Sequence, residues 1–218
     1  MSEVTRDQAE RFPRRTLRRQ NTRKRILRAA TRLFQHVGYG HTTMNAIAKA
    51  ADVHVTTLFT HFKSKQDMAA SANEAALERM ELLIGRSRGK TPFFEFFRNM
   101  VMDVAGKLHG EREPALTVWS ELERDPDLAL AWASYQHRQV VMLAGYVAAD
   151  HDLAPDSFAP MLVAGLMVSA AWEAHRRWSA DSRRLNLKKE TLAALEMAER
   201  MAKAALQAEA QRPARAKR

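Results

Sequence analysis

Apolar side chains between residues 42 and 68 fall at Met44, Ile47, Ala48, Ala51, Val53, Leu58 and Phe62, with polar residues filling the positions between them. The spacing predicts two short helices separated by Asp52-Val53-His54. Helices of this length are marginal alone in water, so both require a shared core and a shared purpose. Upstream, Ile26, Leu27, Ala30, Leu33, Phe34 and Val37 share one face of a helix from Thr22, with Arg23, Lys24, Arg25, Arg28 and Arg32 largely opposite. Gly38 and Gly40 stop it, Thr42 or Thr43 can cap the next helix, and Ser64 caps a fourth that runs to about Arg88. After Gly89-Lys90-Thr91-Pro92, helical patterns recur near 92–108, 113–124, 126–150, 156–179 and 188–210. No stretch alternates as a strand would, so the chain reads as all-α with about nine helices.

Charge changes this picture because of where it lies. The net charge is +10, and residues 1–65 hold 14 Lys/Arg against 4 Asp/Glu, whereas residues 66–218 hold 21 of each. A localised basic excess is the footprint of a polyanion, either nucleic acid or an anionic membrane. With no cysteine in 218 residues, disulfides and cysteine-ligated metals are excluded, which suits a reducing cytosol. The most apolar run, 158–172, is too short to span a bilayer and contains Pro160 and Ser169. Arg6, Arg11, Arg14 and Arg15 have no apolar signal core behind them. The expectation is a soluble, cytoplasmic protein without a membrane partner.

The opening stretch fits a helix-turn-helix. That motif needs a small residue where its helices meet, a left-handed residue in the turn and an apolar residue locking the second helix down; Ala48, Asp52 and Leu58 stand at those positions. Asp is a departure from the usual glycine, but it tolerates the left-handed conformation better than most residues. His54, Val55, Thr56, Thr57 and Thr60 then face outward on a helix able to enter a major groove about 12 Å wide.

Gly40-x-Thr42-Thr43-Met44-x-x-Ile47-Ala48-x-x-Ala51-x-Val53-x-x-x-Thr57-Leu58-Phe59-x-His61-Phe62-x-Ser64-Lys65 resembles the DNA-binding signature of the TetR family of bacterial repressors. The resemblance implies a homodimeric, all-helical repressor that binds double-stranded operator DNA and releases it when a small molecule enters its larger domain. It also implies phosphate contacts from Thr43, His61 and Lys65 and base-edge contacts from Asn45, Val55 and Thr56. Phe59 stands where the family usually has tyrosine, removing a phosphate hydrogen bond that the Arg-rich arm could offset. Ile47, Val53, Leu58 and Phe62 need be no more than core, and Thr57 caps or packs as readily as it touches DNA. His54 and His61 have no third ligand at suitable spacing, so no metal is expected. Arg14, Arg15, Arg18 and Arg19 could be solvated charge, but the reading favoured here is DNA contact, by an arm reaching a minor groove. The domains expected are a flexible basic arm (1–19), a DNA-binding domain (20–65), a ligand-binding and dimerisation domain (66–211) and a disordered basic tail (212–218).

In the larger part, Phe93, Phe94, Phe97, Met100, Met102, Trp119, Trp132, Tyr135 and Met142 are singly ordinary core, yet as a set they suit an adaptable apolar cavity. The expected ligand residues are Phe97, Met100, Trp119, Trp132, Tyr135 and, for an anionic head, Arg138. Asp125-Pro126-x-Leu128 and His175-Arg176-Arg177-Trp178 give 125–178 a looser resemblance to regulators that sense acyl-CoA-like ligands. The run 158–172 is apolar nearly all round and therefore needs cover on every side, most simply from its copy. With the stripe at 188–210 it would build a dimer face from Met161, Leu162, Gly165, Leu166, Leu195 and Met201. No cofactor is expected. An enzyme has little behind it: no Gly-rich phosphate loop, no activated Ser, no metal set, and the Glu111/Glu113 and Glu121/Glu123 pairs read as solvated charge. The alternative is a non-specific nucleic-acid-binding protein that uses the basic arm alone.

Overall fold

A computed structural model describes residues 4–110, 125–154 and 157–211, and every regular element among them is an α-helix, as the periodicity predicts. The described helices are α1 (Val4–His36), α2 (Met44–Ala50), α3 (Val55–His61), α4 (Lys65–Ser87), α5 (Phe93–Gly110), α6 (Pro126–Asp150), α7 (Phe158–Ala180) and α8 (Leu187–Ala210). The helix expected at 113–124 and the tail at 212–218 lie outside the described residues. The chain divides into two compact units, Met1–Ala72 and Asn73–Arg218, with the division falling inside α4.

One expectation is corrected in the first unit. Where a flexible arm was expected to precede a helix from Thr22, α1 is continuous back to Val4. Between Val4 and Thr22 the sequence holds six Arg and two Gln and contains no glycine, so apart from Pro13 little in it opposes the helix. Pro13 removes one backbone donor without ending it. The apolar stripe marks only the part of α1 that touches the core, which is why periodicity alone stops short.

That core joins Ile26, Ala29 and Ala30 of α1 to Ile47, Ala48, Ala51, Leu58, Phe62 and Met68. Gly38, at φ 94°, ends α1 in a backbone conformation that costs a residue with a side chain more. Thr42 is buried and donates its hydroxyl to Gly38 O at 2.7 Å, so capping of α2 falls to Thr43, whose Oγ1 accepts from Ala46 N at 3.1 Å. The turn is closed by Asp52, at φ 50°, and by Val53 N donating to Ala48 O at 3.0 Å. Ser64 opens α4 by accepting from Asp67 N at 3.2 Å.

In the second unit, α7 packs against α6 and α8, and α5 against α8. Their core takes in Leu77, Met80 and Ile84 of α4, the aromatic run Phe93, Phe94, Phe96 and Phe97 of α5, and Leu143, Tyr146 and Val147 of α6. Tyr146 donates its hydroxyl to Thr91 O at 2.7 Å, and Asp150 accepts from Phe93 N at 2.9 Å, so the ends of α5 and α6 are tied together. A second expectation is corrected here. Leu195, expected on the dimer face, is fully buried in the protomer's own core with Ala198, Ala202 and Leu206. The stripe at 188–210 is in fact two faces: Leu195, Ala198, Ala202 and Leu206 turn inward, while Leu192, Met197 and Met201 turn out.

Candidate nucleic-acid interface

The side chains facing solvent around the turn are Thr43, Asn45, His54, Thr56, Phe59 and Thr60, all exposed. Val55 and Thr57 are half-buried, and Val55 packs against the core, so it is less of an outward probe than its position suggests. Phe59 is an exposed aromatic, 51 % accessible, carrying no polar atom where the family resemblance places a tyrosine. Thr60 donates its hydroxyl back to Thr57 O at 2.7 Å.

Three basic side chains prove to be structural pins. Arg23 extends its guanidinium over the Phe62 ring at 4.0 Å and donates to His61 O at 2.6 Å and Ser71 Oγ at 2.8 Å. It therefore fixes the end of α3 against the start of α4, a role that a position on the polar face of α1 does not announce. Lys65 donates to Tyr39 O at 2.5 Å and lies 4.5 Å from the centre of the Tyr39 ring. An ammonium has three donors, so a phosphate could share it, but Lys65 also has structural work there. Arg25 donates to Asp52 O at 3.1 Å and so supports the left-handed turn.

Arg18 and Arg19 are exposed on α1. Burial, together with the positive charges of Arg19 and Arg23, holds the His61 imidazole below the ordinary histidine range. Arg19 is thus close enough to the reading helix for its field to be felt there. Arg14 and Arg15 belong to α1, but their side chains lie outside the described ones.

The residues expected to meet a ligand do not all converge. Phe97 is buried in the core, with Met100 and Tyr135 packed against it. Trp132 stacks at 5.0 Å on Tyr135 and at 5.1 Å on Trp172, a partner that sequence spacing could not have selected across 40 residues. Tyr135, its hydroxyl pushed up by burial, accepts from Gln139 at 3.0 Å. The Trp132 Nε1 is buried and has no acceptor among the described residues. Arg138 stands apart: it is exposed and forms a two-toothed ion pair with Glu74, whose carboxyl this hydrogen bonding holds below the usual range. Trp119 lies outside the described residues. Among those residues, no three His, Asp or Glu side chains gather as a metal would require, and no helix is long and apolar enough to cross a membrane.

A basic unit whose second short helix is locked by Leu58 and Phe62 while its polar side faces out defines a helix-turn-helix regulator of transcription. Residues 26–72 match the model of the bacterial regulatory proteins of the tetR family, and residues 122–203 match the MftR C-terminal domain. The chain is 30 % identical over 180 residues to the HTH-type transcriptional regulator TcmR of Streptomyces glaucescens, covering 75 % of each. It is 43 % identical over 70 residues to the HTH-type transcriptional repressor KstR of Rhodococcus jostii (strain RHA1), covering 32 % of this chain and 31 % of that one. Among solved structures it resembles the transcriptional regulator FadR of Bacillus subtilis in complex with stearoyl-CoA, with a TM-score of 0.63 at 18 % identity over 80 % of this chain and 96 % of that one, which supports the fold. The protein belongs to the TetR family of transcriptional regulators.

Proposed function

We propose that the protein is a ligand-responsive repressor that binds a palindromic operator as a homodimer and is released by a largely apolar small molecule. The observation that carries the dimer is a pair of uncovered apolar stripes. On α7, Phe158, Met161 and Leu162 are exposed and continue into half-buried Gly165 and Leu166; on α8, Met197 and Met201 are more than half exposed. Such stripes mark interaction sites, and a two-fold axis lets one stripe cover its own copy. A dimer presents two reading helices, and two half-sites about 34–36 Å apart read a palindrome.

DNA contact is assigned to Thr43, Asn45, His54, Thr56 and Phe59 around the turn, to His61 and Lys65 at the next helix start, and to Arg18 and Arg19 on α1. Residues 20–65 serve as the reading domain and 66–211 as the effector and dimer domain, and the protein works in the cytoplasm where operator DNA is. The effector site is assigned to Trp132, Tyr135 and Met100, with Trp172 added to the set. An apolar occupant suits these rings. An acyl-CoA-like effector would need an anion site, and at Arg138 it would have to displace Glu74. An effector can release DNA only through its differential affinity for the two states, and operator must weaken the effector by the same factor.

Selection of duplexes from a random pool by the full-length protein, followed by footprinting, tests this reading. A protected palindrome supports it; uniform coverage points instead to non-specific binding through the basic segment.

A further inference from the structure

Thr56 is the second residue of α3, so no helical carbonyl lies three or four residues behind it to take its hydroxyl hydrogen, as Thr57 O does for Thr60. What lies beside it is His54. The residue before α3 has extended backbone, φ −68° and ψ 145°, and its imidazole reaches along the first turn. His54 Nδ1 lies 2.8 Å from Thr56 Oγ1 and 3.4 Å from the Thr56 backbone nitrogen, whose N–H points at it. An N–H aimed at Nδ1 requires a lone pair there, so the ring proton belongs on Nε2. The short Oγ1 contact then has one direction: the Thr56 hydroxyl donates to Nδ1.

A free hydroxyl can donate or accept, which is why Ser and Thr read bases with little discrimination. A hydroxyl whose only hydrogen is already committed can only accept. In the major groove the donors are the N6 amino group of adenine and the N4 amino group of cytosine, whereas guanine O6 and N7 and thymine O4 accept. We propose that His54 is a specificity-determining positioning residue: by holding the Thr56 hydroxyl hydrogen, it turns Thr56 into an acceptor that selects adenine or cytosine over guanine or thymine on the strand it faces. The inference rests on the reading of Thr56 as a base-facing residue. Its basis is the side-chain pair, and the exposed Nε2–H of His54 is left as a donor to the same groove.

The test uses the full-length protein and duplexes selected from a random pool. Thr56→Val, which keeps the shape and removes the oxygen, identifies the base pair that Thr56 reads. At that pair the unaltered protein should favour the amino-bearing base about fivefold, the worth of one hydrogen bond. His54→Ala should reduce the ratio to under about twofold, and His54→Asn, whose side-chain oxygen can accept from the same hydroxyl, should preserve it. A lost helix cap weakens binding to both duplexes alike and cancels in the ratio. Independently of DNA, the nitrogen NMR signals of the His54 ring, assigned by their absence in His54→Asn, should show a bare Nδ1 and a protonated Nε2. A ring protonated at Nδ1, or a fivefold ratio that survives His54→Ala, overturns the proposal. If Thr56→Val changes no base preference, the base-facing reading of Thr56 fails and takes the proposal with it.

Discussion

In the N-terminal unit the apolar faces of four helices close on one small core, and the large apolar side chains left outside among the described residues, Leu17, Val37 and Phe59, belong to three separate segments. In the C-terminal unit the core is far larger, yet α7 and α8 each keep a second apolar stripe in solvent. The difference tracks what each unit has to meet. A unit that reads a charged, hydrated partner can spend its apolar residues inward and leave hydroxyls, amides and guanidiniums outside. A unit with apolar surface left over is built to cover it with something equally apolar.

Substitutions that exploit this contrast should have opposite signatures, and they carry the largest expected effects. Leu58→Ala empties a fully buried site in the small core and should destabilise the N-terminal unit by about 2–5 kcal/mol while leaving the oligomeric state intact. Leu162→Arg combined with Met201→Arg should do the reverse, producing a folded monomer by sedimentation. Operator affinity should then fall by about a hundredfold or more, because the two half-sites no longer act together. An unchanged dimer in that double variant would remove α7 and α8 from the interface.

The next effect down belongs to Arg23. Arg23→Ala strips donors from His61 O and Ser71 Oγ and bares the Phe62 ring, at a cost of about 1–3 kcal/mol by chemical denaturation. Arg23→Lys should not restore it, since a single ammonium cannot copy the planar fork.

The reading unit was largely legible from spacing because a helix-turn-helix compresses its constraints into the 26 residues from Gly40 to Lys65: Ala48, Asp52 and Leu58 each answer a local steric demand. Arg23 escaped because its task is set by residues 38 and 48 positions away, which no periodicity encodes. The same reason hid the contact between Trp132 and Trp172. Leu195 was misplaced because an apolar stripe on α8 does not say which half points inward; only packing against α5 and α7 decides that. The start of α1 was missed because helix propensity continues after amphipathicity stops.

A smaller effect depends on pH and falls on both units. Burial lowers the His175 pKa against a weaker raising influence from its hydrogen bond to Ala171 O, and burial with two arginines lowers that of His61. A histidine depressed in the folded state binds its proton more readily when unfolded. The stability this confers is therefore present above about pH 6.5 and is lost as pH falls below it. His175→Gln should flatten the fall in stability between pH 7.5 and 5.5 that the unaltered protein shows; an identical slope would mean that His175 does not carry it. The smallest effect is expected at the exposed Arg138–Glu74 pair, where Arg138→Gln should leave the unfolding midpoint within experimental error.

The central claim is that a dimer of this chain reads DNA by shape and sequence, beyond the attraction of its basic N-terminal segment. Sequencing the duplexes that the full-length protein retains from a random pool at 150 mM salt, about physiological strength, tests it most directly. The account predicts one inverted repeat whose half-site centres are about 10 base pairs apart, or a multiple of that. A retained pool with no shared sequence, enriched only for length, would contradict it.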